Sequence, residues 1–595
     1  MADKKSPIRK DDGSHIFADF SYGLYLLDTP RNMGEQLGSL ALVGGRNVVA
    51  QKGALINQYG YFVSAELGSD EDRFVYASKC GDSNDSIFLI CLSGKIYFYT
   101  ATQGLKRYKS ELDIVIPDPL VARRGQDMCL TVEGSSYLFG GYYEEAEAVQ
   151  LNVNVPVADF VNYYEFQIPI ADMQYYWVGK SLCMNTDTEV VVSLVEVSDT
   201  IDNTCIVRAY TPGEHTTVET TVTLSEKTLM PLTFVYKPED TAIGQHSIVP
   251  RFTAWADNRL FIEDVNGYIY YSQVGVLDSF EEKYGAGYFG GFYNDTSNLL
   301  DIESYKDGAV ICKENGIYYL TVSDTETNIT KISNIGQQYA QDHVIVNNTI
   351  YAFDTHSGSL VIAAQQNMFG SVVAGKEYIK SEYIDAVDNG IVDSPRTLVY
   401  NQEAGAMMLY YGANLNKAMV IIGDSLYPRE LDCSVTVFRQ FNNGVLIIDT
   451  NSRILQDYKQ GTLIPNLTAV AEFEPIALKD NRCICASLIE VTELNGIEYW
   501  ITTLNECTSY QHIIPPIQEG VDVDYLPPML YSDKSTKVIY DSFELERVWA
   551  EKKSNVTRIA APMSGRRGVQ ISLEFPENQA FCLCALRLND FSQGE

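Results

Sequence analysis

Tryptophan and histidine are scarce in this 595-residue chain, with four and six copies, and no Cys-x-x-Cys pair occurs. His15, His215, His246, His343, His356 and His512 are spread without ligand spacing, so no metal site is read from the sequence. No apolar run approaches the roughly 20 residues needed to cross a bilayer. The first residues, MADKKSPIRKDDGSHIF, carry basic side chains with no apolar run behind them, and they do not read as a secretion signal. Basic residues are few, 44 Lys and Arg against 78 Asp and Glu, a formal charge of −34. Such a surface repels phosphate and argues against free-standing nucleic-acid recognition.

Twelve cysteines are too dilute for a disulfide framework. They sit in apolar runs, among them Cys91, Cys312, Cys582 and Cys584, while Cys483 and Cys485 would share one strand face. Buried free thiols in a reducing cytosol are expected. The sequons at Asn84, Asn294, Asn328, Asn347, Asn466 and Asn555 read as chance matches in turn-rich sequence.

Catalytic signatures are missing too. Gly285, Gly287 and Gly290 match G-x-G-x-x-G, yet FEEKY precedes them where an apolar strand should stand, and no helix pattern follows to hold a pyrophosphate. There is no Walker A loop and no G-x-S-x-G elbow. Asp449–Gln460 starts like a calcium loop but lacks Gly at its sixth position and Glu at its twelfth. No catalytic, cofactor-binding or metal-ligating residue is therefore assigned, and no cofactor and no enzymatic activity are expected.

What the chain has in quantity is Tyr (40) and Gly (42), a mix suited to pleated strands and tight turns. A hairpin recurs: an apolar strand, a polar turn, then a strand rich in Ile and Tyr. It appears at Ile87–Thr100, Leu130–Phe139, Arg259–Ser272, Ala309–Leu320, Val344–Phe353 and Leu488–Ile501. Asn-Gly would supply the two positive-φ positions of a type I′ turn. Gly94 and Gly134 lie 40 residues apart, Gly267 and Gly316 lie 49 apart, and roughly 40–50 residues make one four-stranded propeller blade. The expected fold is all-β, a propeller of six to eight blades; unrelated hairpins in a large sandwich are the alternative.

Between Gly134 and Gly267 the period breaks. Val- and Thr-rich alternation there (VQLNVNVPV, TEVVVSLVEV, TTVETTVTL) suggests an inserted β-sandwich-like domain. The expected organisation is an N-terminal docking arm (1–55), first blades (56–145), the insert (146–249), remaining blades (250–515) and a C-terminal closing segment (516–595). Asp541–Ser554 is the one respectable helical pattern.

The segment Arg251–Phe280, RFTAWADNRLFIEDVNGYIYYSQVGVLDSF, resembles the blade signature of tail nozzle proteins of short-tailed bacteriophages, also called tail tubular protein B or the tail hub. The positions that carry the resemblance are Trp255, Arg259, Leu260, Phe261, Tyr271, Ser272 and Phe280. Gly308–Thr321 and Ile332–Gly358 resemble the steps that follow, and Gly23–Leu55 faintly resembles the family's opening segment. The C-terminal 80 or so residues have no counterpart in the resemblance.

The resemblance implies a mechanical role: a homo-oligomeric ring, typically of six copies, below the portal and its adaptor, gating a channel for genome exit and anchoring a tail fibre or needle. It would be assembled in the host cytoplasm and reside in the virion tail. Six copies at −34 would place about two hundred negative charges around the DNA path, where repulsion keeps phosphate sliding without sequence-specific binding; the same excess also serves solubility. Lys4, Lys5, Arg9 and Lys10 form a basic tip that could dock on an acidic adaptor surface or remain a solvated tail. The alternative reading is a carbohydrate-binding or carbohydrate-degrading propeller, with paired carboxylates beside clustered aromatics. A third is a β-rich scaffold unrelated to viruses.

Overall fold

The computed structural model describes residues 14–17, 42–139 and 149–457 with brief interruptions, the longest at 211–219, and interrupted stretches of 468–513 and 555–592. The expected helix at Asp541–Ser554 and the basic tip Lys4, Lys5, Arg9 and Lys10 lie outside the described residues. The chain is all-β, and its sheets are those of a β-propeller. Among the described residues the one α-helix is Ser381–Val387, and no helix is long and apolar enough to cross a membrane. Two compact units divide the chain, one of residues 63–377 and 435–456, the other of 1–62, 378–434 and 457–595.

In the first unit, consecutive blades pack face to face, the first four of them built of four strands each. The blade Phe74–Cys80, Ser83–Cys91, Lys95–Thr100, Gly104–Glu111 is followed by one built on Leu120–Arg124, Asp127–Val132, Ser135–Phe139 and Leu229–Leu232. Phe88, Phe98 and Tyr108 of the former meet Met128, Leu130 and Phe139 of the latter in one apolar cluster. The third blade (Pro250–Ala256, Arg259–Asp264, Ile269–Tyr271, Gly287–Phe289) packs on the second through Leu260, Ile262 and Tyr270. Its other face meets the fourth (Leu299–Tyr305, Gly308–Lys313, Gly316–Val322, Thr327–Ser333) through Phe261, Tyr271, Ile302 and Ile311. The fifth (His343–Val346, Thr349–Asp354, Ser359–Gln366, Val372–Ala374) meets the fourth through Ile350 and Ala352. This explains the continuous apolar runs in the middle strands, since a blade strand is covered on both faces.

A further blade joins distant parts of the sequence. Val435–Phe441, Gly444–Asp449 and Arg453–Asp457 take their fourth strand from Tyr61–Glu66. Ser64 Oγ donates to the Ile454 carbonyl at 2.9 Å, and Leu446, Ile448 and Ile454 pack on Phe74 and Leu89 of the 74–111 blade.

The insert interrupts the second blade between its third and fourth strands. Val149–Phe160, Tyr163–Pro169, Ser181–Asn185, Glu189–Asp199, Thr204–Tyr210 and Thr220–Glu226 close into a six-stranded antiparallel barrel, which corrects the expected sandwich. Alternation along a strand is the same in both architectures. What decides is strand length and bending: the 12-residue strand Val149–Phe160 and the 11-residue strand Glu189–Asp199 each pair with two neighbours and shift register at Leu151/Asn154 and Leu194/Glu196. Such bulges coil a sheet until its edges meet. Arg208 bridges Glu165 (3.0 Å) and Glu196 (2.6 Å) across three barrel strands.

The second unit holds a four-stranded blade, Arg396–Asn401, Ala406–Tyr411, Lys417–Ile422 and Ser425–Glu430. Both ends of the chain are woven into its remaining sheets: Ser14–Phe17 pairs with Ala585–Ser592, and Leu42–Arg46 with Ala469–Phe473. The described parts of the expected docking arms are thus paired strands. The hairpin expected at Leu488–Ile501 does not form. Arg482–Val491 pairs with Asn555–Ala561 and Ala585–Ser592, while Glu498–Thr503 pairs with Ser509–Ile513 and Gly568–Phe575.

Turn chemistry also differs from expectation. Type I′ geometry, with two successive positive φ angles, occurs at Glu133-Gly134, Asp257-Asn258 and Asn347-Asn348. At Asn266-Gly267 only the glycine has positive φ. There the Asp264 carboxylate accepts the N–H groups of Asn266 (2.9 Å) and Tyr268 (2.8 Å), holding a longer loop. Asp449 repeats the device with Asn451 (3.0 Å) and Arg453 (2.8 Å), Ser452 taking the glycine's place at φ 58°. The would-be calcium loop at Asp449 is this Asx turn.

Candidate functional site

The sequence positions that carry the phage resemblance converge in the third blade. Arg259 starts its second strand, and its Nη1 donates to the carbonyls of Ser272 and Gly285, both at 2.7 Å. Ser272, fully buried, accepts the Leu260 N–H at 2.8 Å through Oγ and donates to the Val276 carbonyl at 2.6 Å. The guanidinium and the serine hydroxyl together pin the segment 272–285 to the strand Arg259–Asp264. Phe280 closes that segment by packing edge-on against Phe234, centroids 5.5 Å apart, and its strand pairs in parallel with Phe234–Lys237. Phe261 and Tyr271 are register partners facing the fourth blade, while Leu260 faces the second, which Trp255 also contacts. These seven residues serve the packing of the third blade on its two neighbours.

The same blade presents an aromatic face. Tyr270 and Tyr288 are register partners on adjacent strands and stack with centroids 5.4 Å apart. Tyr236 lies edge-on to Tyr288 at 5.2 Å, and the Tyr270 hydroxyl meets His246 Nε2 at 3.0 Å. Burial, aided by the Asp264 carboxylate, pushes the Tyr270 phenol up to about 12, so it is a neutral hydrogen-bonding group at any physiological pH. Tyr268, Tyr284 and Tyr288 remain 44, 55 and 48% exposed, with Val249, Val265 and Val274 also exposed in this part of the chain. Tyr268 and Tyr288 lie against each other, centroids 6.0 Å apart, and an exposed aromatic pair of this kind suits an interaction surface.

The glycines of GAGYFGG serve this packing. Gly285 is left-handed at φ 83° after the short 3₁₀ turn Glu282–Tyr284. A Cβ on Gly287 would run into the Tyr271 ring, and one on Gly290 into Tyr268. The motif matches a phosphate loop in letters only, since its glycines admit tyrosine rings. The flanking sequence already excluded the phosphate loop, but the packing of tyrosine rings on these glycines shows only in the strand register.

Cys91, Cys129, Cys312 and Cys433 are buried and in no disulfide, and burial pushes the Cys129 thiol up to about 12. Histidine and carboxylates that the sequence leaves scattered do meet at one seam. Ligand atoms of Asp301, Glu303 and His343 lie within 4.8 Å of one another, and His343 Nε2 is 3.5 Å from Cys312 Sγ. In the second unit, a cavity of about 470 Å³ is lined by Arg46, Asp388, Lys417 and Glu430 among others. Its charges pair internally, Arg46 with Glu430 at 3.3 Å and Lys417 with Asp388 at 3.1 Å, which leaves little net field to select a charged ligand.

No protein-family model matches the sequence, and no curated protein matches it. Among solved structures, the chain is similar to the WD40 β-propeller domain of Doa1 (8% identity, TM-score 0.32, covering 68% of this chain and 98% of that one). YCF48 from Cyanidioschyzon merolae matches with 8% identity and TM-score 0.34, over 68% of this chain and 100% of that one. BamB from Moraxella catarrhalis matches with 9% identity and TM-score 0.32, over 71% and 98%. Likeness at this level carries no functional argument; the blades themselves define the architecture.

Proposed function

We propose that this chain is a structural virion protein, a subunit of the tail nozzle ring of a short-tailed phage, seated below portal and adaptor and giving passage to DNA. The observation that supports the reading best is the third blade. The seven residues that carry the resemblance lie in or against this blade, with Arg259 and Ser272 hydrogen-bonding its backbone and the apolar members packed on its two faces, which suits a scaffold role. The exposed tyrosines 268, 284 and 288 suit a rim that a neighbouring subunit covers, because aromatic side chains are enriched where subunits meet. A formal charge of −34 per chain suits a conduit from which phosphate is repelled.

Electron microscopy of the purified chain, alone and mixed with a portal–adaptor complex, tests the proposal. Rings with a central hole that cap the complex are expected, and Tyr268→Ser with Tyr288→Asp should reduce ring formation while leaving the sheet spectrum unchanged. A chain that stays monomeric with and without the complex would overturn it. The same exposed tyrosines could instead stack on sugar rings, and binding or cleavage of a polysaccharide by the monomer would favour the carbohydrate reading.

A further inference from the structure

The seam between the fourth and fifth blades contains a set of side chains that apolar packing does not explain. Asp301 and Glu303 alternate on one face of the strand Leu299–Tyr305, and Cys312 is the register partner of Asp301, so all three project from the same face. That face meets the start of His343–Val346 in the next blade. His343 has a side chain only 1% exposed, with Nε2 directed at Cys312 Sγ (3.5 Å) and Glu303 Oε2 (3.8 Å). Its Nδ1 is buried with no hydrogen-bond partner, and Nε2 carries the ring's polar contacts.

We propose that Cys312, His343, Glu303 and Asp301 form a metal site for a thiophilic divalent transition ion, Zn²⁺ by preference, that clamps the fourth blade to the fifth. One thiol, one imidazole and two carboxylates make a four-donor set of the kind zinc accepts. Calcium and magnesium take oxygen donors and would leave the thiol and imidazole unused. The spacing fits. With Zn–N near 2.05 Å and Zn–S near 2.3 Å, a tetrahedron has an N–S edge of about 3.5 Å and an N–O edge of about 3.4 Å. The corresponding separations are 3.5 and 3.8 Å. The half-exposed Glu303 carboxylate gives an approach from solvent, while Cys312 and His343 lie inside. Binding would form the metal–sulfur and metal–nitrogen bonds and release to buffer the protons that the thiol and the imidazole carry. The four positions span two sheets and 43 residues of sequence, from 301 to 343 inclusive, which is why no linear ligand spacing announces them.

The test uses the full chain without a histidine tag, dialysed against metal-free buffer, with metal content measured and Co²⁺ then titrated in as a spectroscopic probe. About one equivalent of zinc in the purified protein is expected, or one equivalent of Co²⁺ giving tetrahedral visible bands and a thiolate charge-transfer band that zinc abolishes. Cys312→Ser should remove the charge-transfer band. Glu303→Gln, a change at a half-exposed side chain that leaves folding intact, should weaken affinity at least about tenfold. Chelation should lower the unfolding temperature of the wild type and not that of Cys312→Ser. A chain that binds neither ion, or a Co²⁺–thiolate band that persists in Cys312→Ser, would overturn the assignment.

Discussion

The indole of Trp177 lies flat on the ring of Phe98, with centroids 5.0 Å and planes 12° apart. Trp177 follows the 3₁₀ turn Ile170–Tyr175 inside the insert, whereas Phe98 belongs to the first blade of its unit. Tyr108 meets the indole edge-on at 4.7 Å, and the Lys180 ammonium sits 4.4 Å over it. The inserted barrel is therefore tied to the propeller by a buried aromatic plug as well as by its two chain crossings.

Replacing Trp177 by Ala should destabilise the first unit by about 3–5 kcal/mol, the usual range for an aromatic removed from a packed core. Chemical denaturation followed by near-ultraviolet circular dichroism would read it. Trp177→Phe should cost less, since it keeps a ring to lie against Phe98.

Arg259→Lys should cost about 1–3 kcal/mol, because a single ammonium replaces the planar guanidinium that serves the carbonyls of Ser272 and Gly285. Amide hydrogen exchange should accelerate across 272–285 and stay unchanged in the barrel. Uniform exchange throughout the chain would contradict the pinning role.

Asp295 gives a pH signature. Burial works against its charge, but hydrogen bonds from Ser297 and Tyr318, with Lys313 nearby, hold the carboxyl below its ordinary value of 3.8. A lowered folded value means the contribution is complete above the unfolded value and is lost as pH falls through the lower folded one. Stability of the wild type should thus fall below about pH 4. Asp295→Asn should be less stable at neutral pH and show a shallower acid limb, in urea midpoints measured from pH 7 down to pH 3.

Two turn glycines should behave differently. Gly94 has φ 85° and a Cβ there would strike the Leu112 carbonyl, whereas Gly267 has φ 80° and open space around it. Gly267→Ala should cost about 1–2 kcal/mol for the left-handed backbone alone, and Gly94→Ala distinctly more. Thermal melts of the pair would rank them.

Much of the propeller was legible because a blade is a local object. Ile87–Thr100, Arg259–Ser272 and Ala309–Leu320 announce their hairpins through apolar runs broken by short polar turns, and the structure pairs them so. What escaped was whatever depends on partners far along the chain. Leu488–Ile501 has the letters of a hairpin, yet each strand finds its partners in 509–592 instead. The barrel's closure depends on bulges at Leu151/Asn154 and Leu194/Glu196, which alternation does not reveal. At the candidate sites, the role of Arg259 was visible only as a family pattern, and His343 gained its neighbours through the packing of two sheets.

The blade completed by Tyr61–Glu66 has a consequence for biosynthesis. Its other three strands begin at Val435, so the early strand leaves the ribosome about 370 residues before its partners. At roughly 5–20 residues per second, it waits on the order of tens of seconds with one edge uncovered. A nascent chain in that state is a substrate for chaperones and a hazard for pairing with its neighbours on a polysome. The last translated third of the propeller thereby decides whether the first third is ever sealed.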